Sequence, residues 1–194
     1  MRPTALRNTL VIGVLGSLML LTRGGWFSDA LNVTLHDASW AVFLLAGLMV
    51  GRGYAFALLA ACAFTLDVTA LCGGSLTNLV GCLRPSYIAL PLAWLVLFMT
   101  GRLLAGPVQD ARKGNQWLTL AGGALGATAF AYVLTNVAFY AWSGFYDQLT
   151  IAAYLTQTLP FAAWTGVYTL LYTVAIVAVF RLAALPVSAQ PESA

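Results

Sequence analysis

The chain has 194 residues, of which 61% are hydrophobic and only 8% charged, with a formal net charge of +3 at pH 7. Soluble domains carry roughly 25% charged residues, and one domain of this length could not hide so much apolar surface. The composition therefore excludes a soluble globular protein and specifies an all-α membrane protein, while the scattering of the few basic residues excludes nucleic acid as a partner.

Apolar runs at 8–22, 38–51, 54–71, 86–105, 117–140 and 158–181 predict a bundle of six transmembrane helices. Arg2 and Arg7 precede the first run and give it the outline of a signal peptide. Thr22-Arg23-Gly24-Gly25-Trp26 offers no small-x-small cleavage site, so the run reads as a retained span. It is short for a bilayer, and snorkelling of Arg7 and Arg23 would extend it. Gly13 and Ser17 stand four apart within it, a spacing that lets another helix approach closely.

The segment 23–37 carries Trp26, Phe27 and the only histidine, His36, beside Asp37. His36 reads either as a solvated surface residue or as a pocket hydrogen-bonding group able to ligate a metal. Gly51-Arg52-Gly53 joins the second and third spans as a tight hairpin. Cys62, inside the third run, reads as a packed core thiol, and Asp67 falls at that run's outer end. Asp67 is either a solvated interfacial acid or an acceptor lining a pocket, because acids within membrane spans rarely face lipid.

Asp67 opens a polar, glycine-bearing stretch, which runs through Cys72, Gly73, Gly74, Asn78, Cys82 and Arg84 to Tyr87. Cys72 and Cys82 could form a disulfide on the oxidising side of a membrane or remain inert thiols. Alternatively, Cys82 is a soft sulfur donor with Arg84 nearby to favour its thiolate. A lone thiolate makes a poor cage for a bare ion, but it suffices as one axial ligand to a metal already held in a macrocycle. Past the hydrophilic connection 106–116 and the fifth run lies the segment 141–157. Its Trp142, Phe145 and Tyr146 read as part of an interfacial aromatic belt, with Trp26, Phe27 and Trp40, or as a lid over a large, flat ligand.

With six spans and the N-terminus inside, Arg2, Arg7, Arg52, Arg102, Arg112, Lys113 and Arg181 are cytoplasmic, and only Arg23 and Arg84 fall outside. That agrees with the positive-inside rule. The long segments 23–37, 72–86 and 141–157 then share the outer face, where a ligand pocket is expected. Residues 1–185 form the membrane domain, and 186–194 read as a disordered cytoplasmic tail. The chain contains no Walker motif, HExxH, GxSxG or dinucleotide fingerprint, so energy for any transport would come from a partner or an ion gradient.

Six short spans with a loop-built outer pocket resemble the S-components of ECF-type vitamin transporters. The stretch Asp67–Tyr87, with Cys82-Leu-Arg84-Pro-Ser-Tyr87, resembles the cobalamin-specific BtuM family among them. The resemblance implies a subunit of the bacterial cytoplasmic membrane that captures cobalamin or a related corrinoid at its outer face. It implies a cysteine thiolate on the corrin cobalt, matched to Cys82 with Cys72 as the fallback. His36, Asp67, Asn78, Arg84, Tyr87, Trp142, Phe145 and Tyr146 would be ligand-binding residues. Gly13 and Ser17 would dock the subunit on an ECF transmembrane coupling protein, which works with a pair of ATPases. A thiolate on cobalt should also weaken the ligand on the opposite face, so loss of cyanide from cyanocobalamin is expected. The competing readings are an S-component for a different vitamin, a membrane thiol-disulfide oxidoreductase using Cys72 and Cys82, and an assembly protein with no small ligand.

Overall fold

The structure, a computed structural model, describes residues 3–23, 35–72, 84–110 and 115–182. Among these the chain forms six α-helices: α1 (Pro3–Arg23), α2 (Ser39–Met49), α3 (Gly53–Cys72), α4 (Ala89–Asp110), α5 (Asn115–Trp142) and α6 (Ile151–Leu182). A short 3-10 turn, Pro85–Ile88, leads into α4, its proline at the position where a missing backbone N–H costs nothing. Five of the helices are long and apolar enough to cross a membrane, and α2, with 11 residues, is shorter. Their outer faces carry exposed Leu10, Val14, Leu118, Phe130, Val133 and Leu159. Water would not tolerate so continuous an apolar surface, whereas hydrocarbon accepts it. The chain is a multi-pass membrane protein.

The short helix is the centre of the bundle. From Ala41 to Met49 every residue of α2 is buried, and α2 touches each of the other five helices. Its closest partner is α4, and small residues make the approach possible. A Cβ added at Gly47 would fall 1.9 Å from the Phe98 carbonyl oxygen, and one at Gly101 would fall 1.9 Å from that of Leu44. The two helix backbones therefore pack directly on one another, each glycine against the other helix's carbonyl. Around this crossing Phe43 stacks on Trp94 at 5.0 Å between centroids, and Phe56 tilts against both Phe43 and Phe98.

After α2, the Gly51 amide turns back to the Ala46 carbonyl at 3.0 Å, and Gly51 adopts a positive φ of 64°. That left-handed residue just past a helix end is where glycine is favoured over any residue with a Cβ. The hairpin expected at 51–53 is thereby formed.

Both end helices outrun the apolar patterning. The first expected span stops at Arg7 and Arg23, yet α1 includes both. Arg7 donates to the Met49 carbonyl at 2.8 Å and so covers an orphan acceptor at the end of α2. The sixth expected span begins at 158, yet α6 begins at Ile151, because its polar first turns remain helical and Pro160 is accommodated within it. With 32 residues α6 is about 48 Å long, well beyond a hydrocarbon core of about 30 Å. The connection between α5 and α6 shrinks accordingly, to residues 143–150.

Candidate functional site

The C-terminal ends of α1 and α3 and the N-terminal ends of α2 and α4 meet at one end of the bundle, around Arg23. Its Nε donates to Asp67 Oδ1 and its Nη2 to Asp67 Oδ2, both at 2.8 Å. Nη1 donates to Asp37 Oδ2 at 2.9 Å and to Ser39 Oγ at 2.8 Å. Such a two-pronged guanidinium–carboxylate pair is the strongest hydrogen-bonded ion pair available to a protein. The Arg23 and Asp67 side chains are only 11% and 12% exposed, so neither charge has bulk water as an alternative partner. The guanidinium also lies 5.3 Å from the Trp94 ring, a cation–π contact.

The network extends in two directions. Tyr87 Oη, from the 3-10 turn, donates to Asp67 Oδ2. On the other side Asp37 Oδ1 accepts from the Ser39 amide at 2.9 Å and from the Ser39 hydroxyl, while the Ala38 amide donates to Thr22 Oγ1 at 3.0 Å. Two free amides at the start of α2 are thus satisfied, and the acid sits at the positive end of the helix dipole.

Asp37 also borders a cavity of about 630 Å³ between the start of α2 and the paired helices α5 and α6. Its walls are largely aromatic: Trp40 from α2, Tyr132 from α5, and Phe161, Trp164 and Tyr168 from α6. His36 stacks on Tyr168 at 3.7 Å with the planes 14° apart, and Tyr172 Oη donates to the His36 carbonyl at 2.9 Å. Polar edges come from Asp37, Thr135, Asn136 and Thr165. Asn136 is held by two bonds: its Nδ2 donates to the Tyr132 carbonyl at 2.9 Å, and its Oδ1 accepts from Tyr154 Oη at 2.7 Å. Aromatic planes with a few fixed polar groups are the ordinary lining of a site for a flat organic ligand.

A second, shallower hollow of about 610 Å³ lies on the far side of Asp67, lined by Phe64, Arg84, Tyr87, Ile88, Pro91 and Trp142 among others. The Arg84 guanidinium sits 4.9 Å from the Phe145 ring, in the turn where Gly144 takes a φ of 71°. Tyr146 is set against Tyr154 at 4.7 Å and against Phe139 at 6.0 Å.

The residues expected to contact a ligand thus divide. His36 borders the first cavity; Arg84, Tyr87 and Trp142 border the second, with Phe145 beside Arg84. Asp67 borders neither; both of its oxygens are engaged by Arg23 and Tyr87. Cys82 and Asn78 lie outside the described residues, as do Trp26, Phe27 and the tail 186–194. Cys72 ends α3, and Cys62 is a half-buried free thiol packed against the core. Gly13 and Ser17 face outward on α1, where a Cβ at Gly13 would meet nothing within 4 Å.

Sequence reasoning missed Arg23 as the hub and Asn136, Trp164 and Tyr168 as cavity residues. A signal for two of them was present. Arg23 is one of only two cations on the side that the positive-inside rule leaves poor in them, and Asn136 is a carboxamide inside an apolar run, where polar groups call for partners. No such mark distinguishes Trp164 or Tyr168 from the interfacial aromatic residues. Among the described residues no three His, Cys, Asp or Glu side chains converge on a possible metal position. No protein-family model matches the chain, and no curated protein matches it.

Proposed function

We propose that this protein is the substrate-binding subunit of a vitamin uptake system of the bacterial cytoplasmic membrane, and that its substrate is cobalamin or a related corrinoid. The observation that carries the reading is the cavity of about 630 Å³ with stacked His36 and Tyr168 on one wall and Asn136 and Asp37 at its edge. A corrinoid is a large flat macrocycle rimmed with amide groups, and it calls for apolar faces with a sparse polar edge. The stretch that resembles the BtuM family begins and ends at this same end of the bundle, since Asp67 and Tyr87 are hydrogen-bonded to each other.

In this reading the Arg23 end faces outward and both termini are cytoplasmic, as the distribution of lysine and arginine favours. The Cys82 thiolate supplies an electron pair to an axial position of cobalt already held by four corrin nitrogens, which is why no protein cage is needed. A strong sulfur donor weakens the bond on the opposite face. Cyanide would then leave as the anion, taking its bonding pair, with no change in cobalt oxidation state. The open face of α1 around Gly13 and Ser17 is suited to close approach by the transmembrane coupling protein, whose ATPases would drive release inside.

The test is the absorption spectrum of purified protein with cyanocobalamin, beside Cys82→Ala. A shifted corrin spectrum in the wild type, absent from the variant, supports both the ligand and the cobalt–sulfur bond. Equal binding and equal spectra in the two would move the axial ligand to Cys72 or His36. A wild-type protein that binds no corrinoid overturns the reading in favour of another vitamin or of thiol chemistry at Cys72 and Cys82. Bound cyanocobalamin that keeps its cyanide spectrum would refute the ligand-loss step alone.

A further inference from the structure

The hollow beside Arg84 differs in chemistry from the aromatic cavity. Its other walls are Phe64, Pro85, Tyr87, Ile88, Pro91 and Trp142, and the one hydroxyl among them, that of Tyr87, is already donated to Asp67. Besides the indole N–H of Trp142, a donor at the exposed edge, the guanidinium of Arg84 is the one polar side-chain group on the lining left without a hydrogen-bond partner. The hollow opens outward: Ile88 is 64% exposed and Trp142 58%. Phe64 lies one helical turn before Asp67 on α3, so the apolar lining runs from the end of the bundle toward the membrane interior.

Arg84 closes the hollow at that end. Among the described residues it meets no carboxylate and no hydrogen-bond acceptor, and its charge is directed only at the Phe145 ring. An arginine carries five N–H donors in a planar fork that matches phosphate oxygens. A single unpaired fork above an apolar trough is the outline of an amphiphile with one anionic head and a hydrocarbon tail.

We infer that this hollow is a binding site for an anionic phospholipid, with the headgroup phosphate on Arg84 and an acyl chain lying along Phe64, Ile88 and Pro91. Charge complementarity selects the headgroup, and the apolar side chains of Phe64, Pro85, Ile88 and Pro91 that make up most of the lining select the chain. The lipid would thereby bridge α3, the turn before α4, and the end of α5, whichever vitamin the protein carries.

Native mass spectrometry of the detergent-purified full chain, titrated with phosphatidylglycerol or with phosphatidylcholine of the same acyl chains, tests this. One phosphatidylglycerol should be retained in preference to phosphatidylcholine. In Arg84→Gln that preference should fall about five-fold, the effect of one basic side chain on an anionic headgroup. Ile88→Trp, at an exposed position that does not threaten folding, should lower retention of both lipids by filling the trough. Indistinguishable retention by wild type and Arg84→Gln would overturn the inference. So would equal binding of the deacylated headgroup, glycerophosphoglycerol, because the acyl trough would then contribute nothing.

Discussion

Replacing Gly47 by alanine adds one methyl group at the crossing of α2 and α4. Its Cβ would stand 1.9 Å from the Phe98 carbonyl oxygen, 2.8 Å from the Phe98 carbonyl carbon and 2.9 Å from the Arg102 amide nitrogen. All three are backbone atoms of a helix, so no side chain can rotate away. Relief would require the two helices to separate by more than 1 Å, which loosens the packing of Phe43, Trp94 and Phe98 around them. Overpacking of a well-filled core costs about 1–3 kcal/mol, sometimes more, and a backbone clash on this scale belongs at or above the upper end. Alanine is otherwise the better helix former by about 1 kcal/mol, so position decides the sign. The control is Gly13→Ala, where a Cβ meets nothing within 4 Å. Thermal unfolding in detergent should therefore show Gly47→Ala destabilised by about 3 kcal/mol or more, with Gly101→Ala similar and Gly13→Ala neutral or slightly stabilised. Equal melting of Gly47→Ala and Gly13→Ala would refute the close backbone crossing.

Other consequences are open to the same assay. Arg23→Gln leaves the Asp67 carboxylate buried without its counter-charge and should cost about 3–5 kcal/mol. Asp67→Asn introduced into that background should recover part of the loss, and strictly additive effects would argue against the pair. Thr173 is fully buried in α6, and its hydroxyl has no hydrogen-bond partner. Thr173→Val should therefore be neutral or stabilise by about 1 kcal/mol; a clear loss of stability would mean that the hydroxyl is satisfied after all.

Hydropathy made the helices legible and left their ends and roles obscure. Every expected apolar run contains a helix, because lipid-facing and core-facing positions are both apolar and the pattern needs no periodicity to be read. Charges were the misleading cue at the ends. Arg7 and Arg23 look like boundaries when considered alone, but each has partners from another helix that let it remain within α1. The same independence from periodicity hides which helix is central: α2 and α1 both read as short apolar runs, yet one is buried on all sides and the other is half exposed. Within the site, Asp67 and His36 were legible as polar groups in apolar company. Their places on two sides of Arg23 were not, because these depend on Arg23 meeting Asp67, 44 positions along the chain, and Asp37, 14 positions along.

The burial of α2 bears on how the protein is made. A helix of 11 residues that is buried by its neighbours along almost its whole length depends on them for its position. Its main partner, α4, leaves the ribosome only after α3 and the segment that follows have been synthesised, a delay on the order of seconds. During that interval Gly47 and the Leu44 carbonyl have nothing to pack against. Biogenesis must therefore hold α1 to α3 as a provisional assembly, in the insertion machinery or at the bilayer surface, until α4 emerges and the first four helices can close.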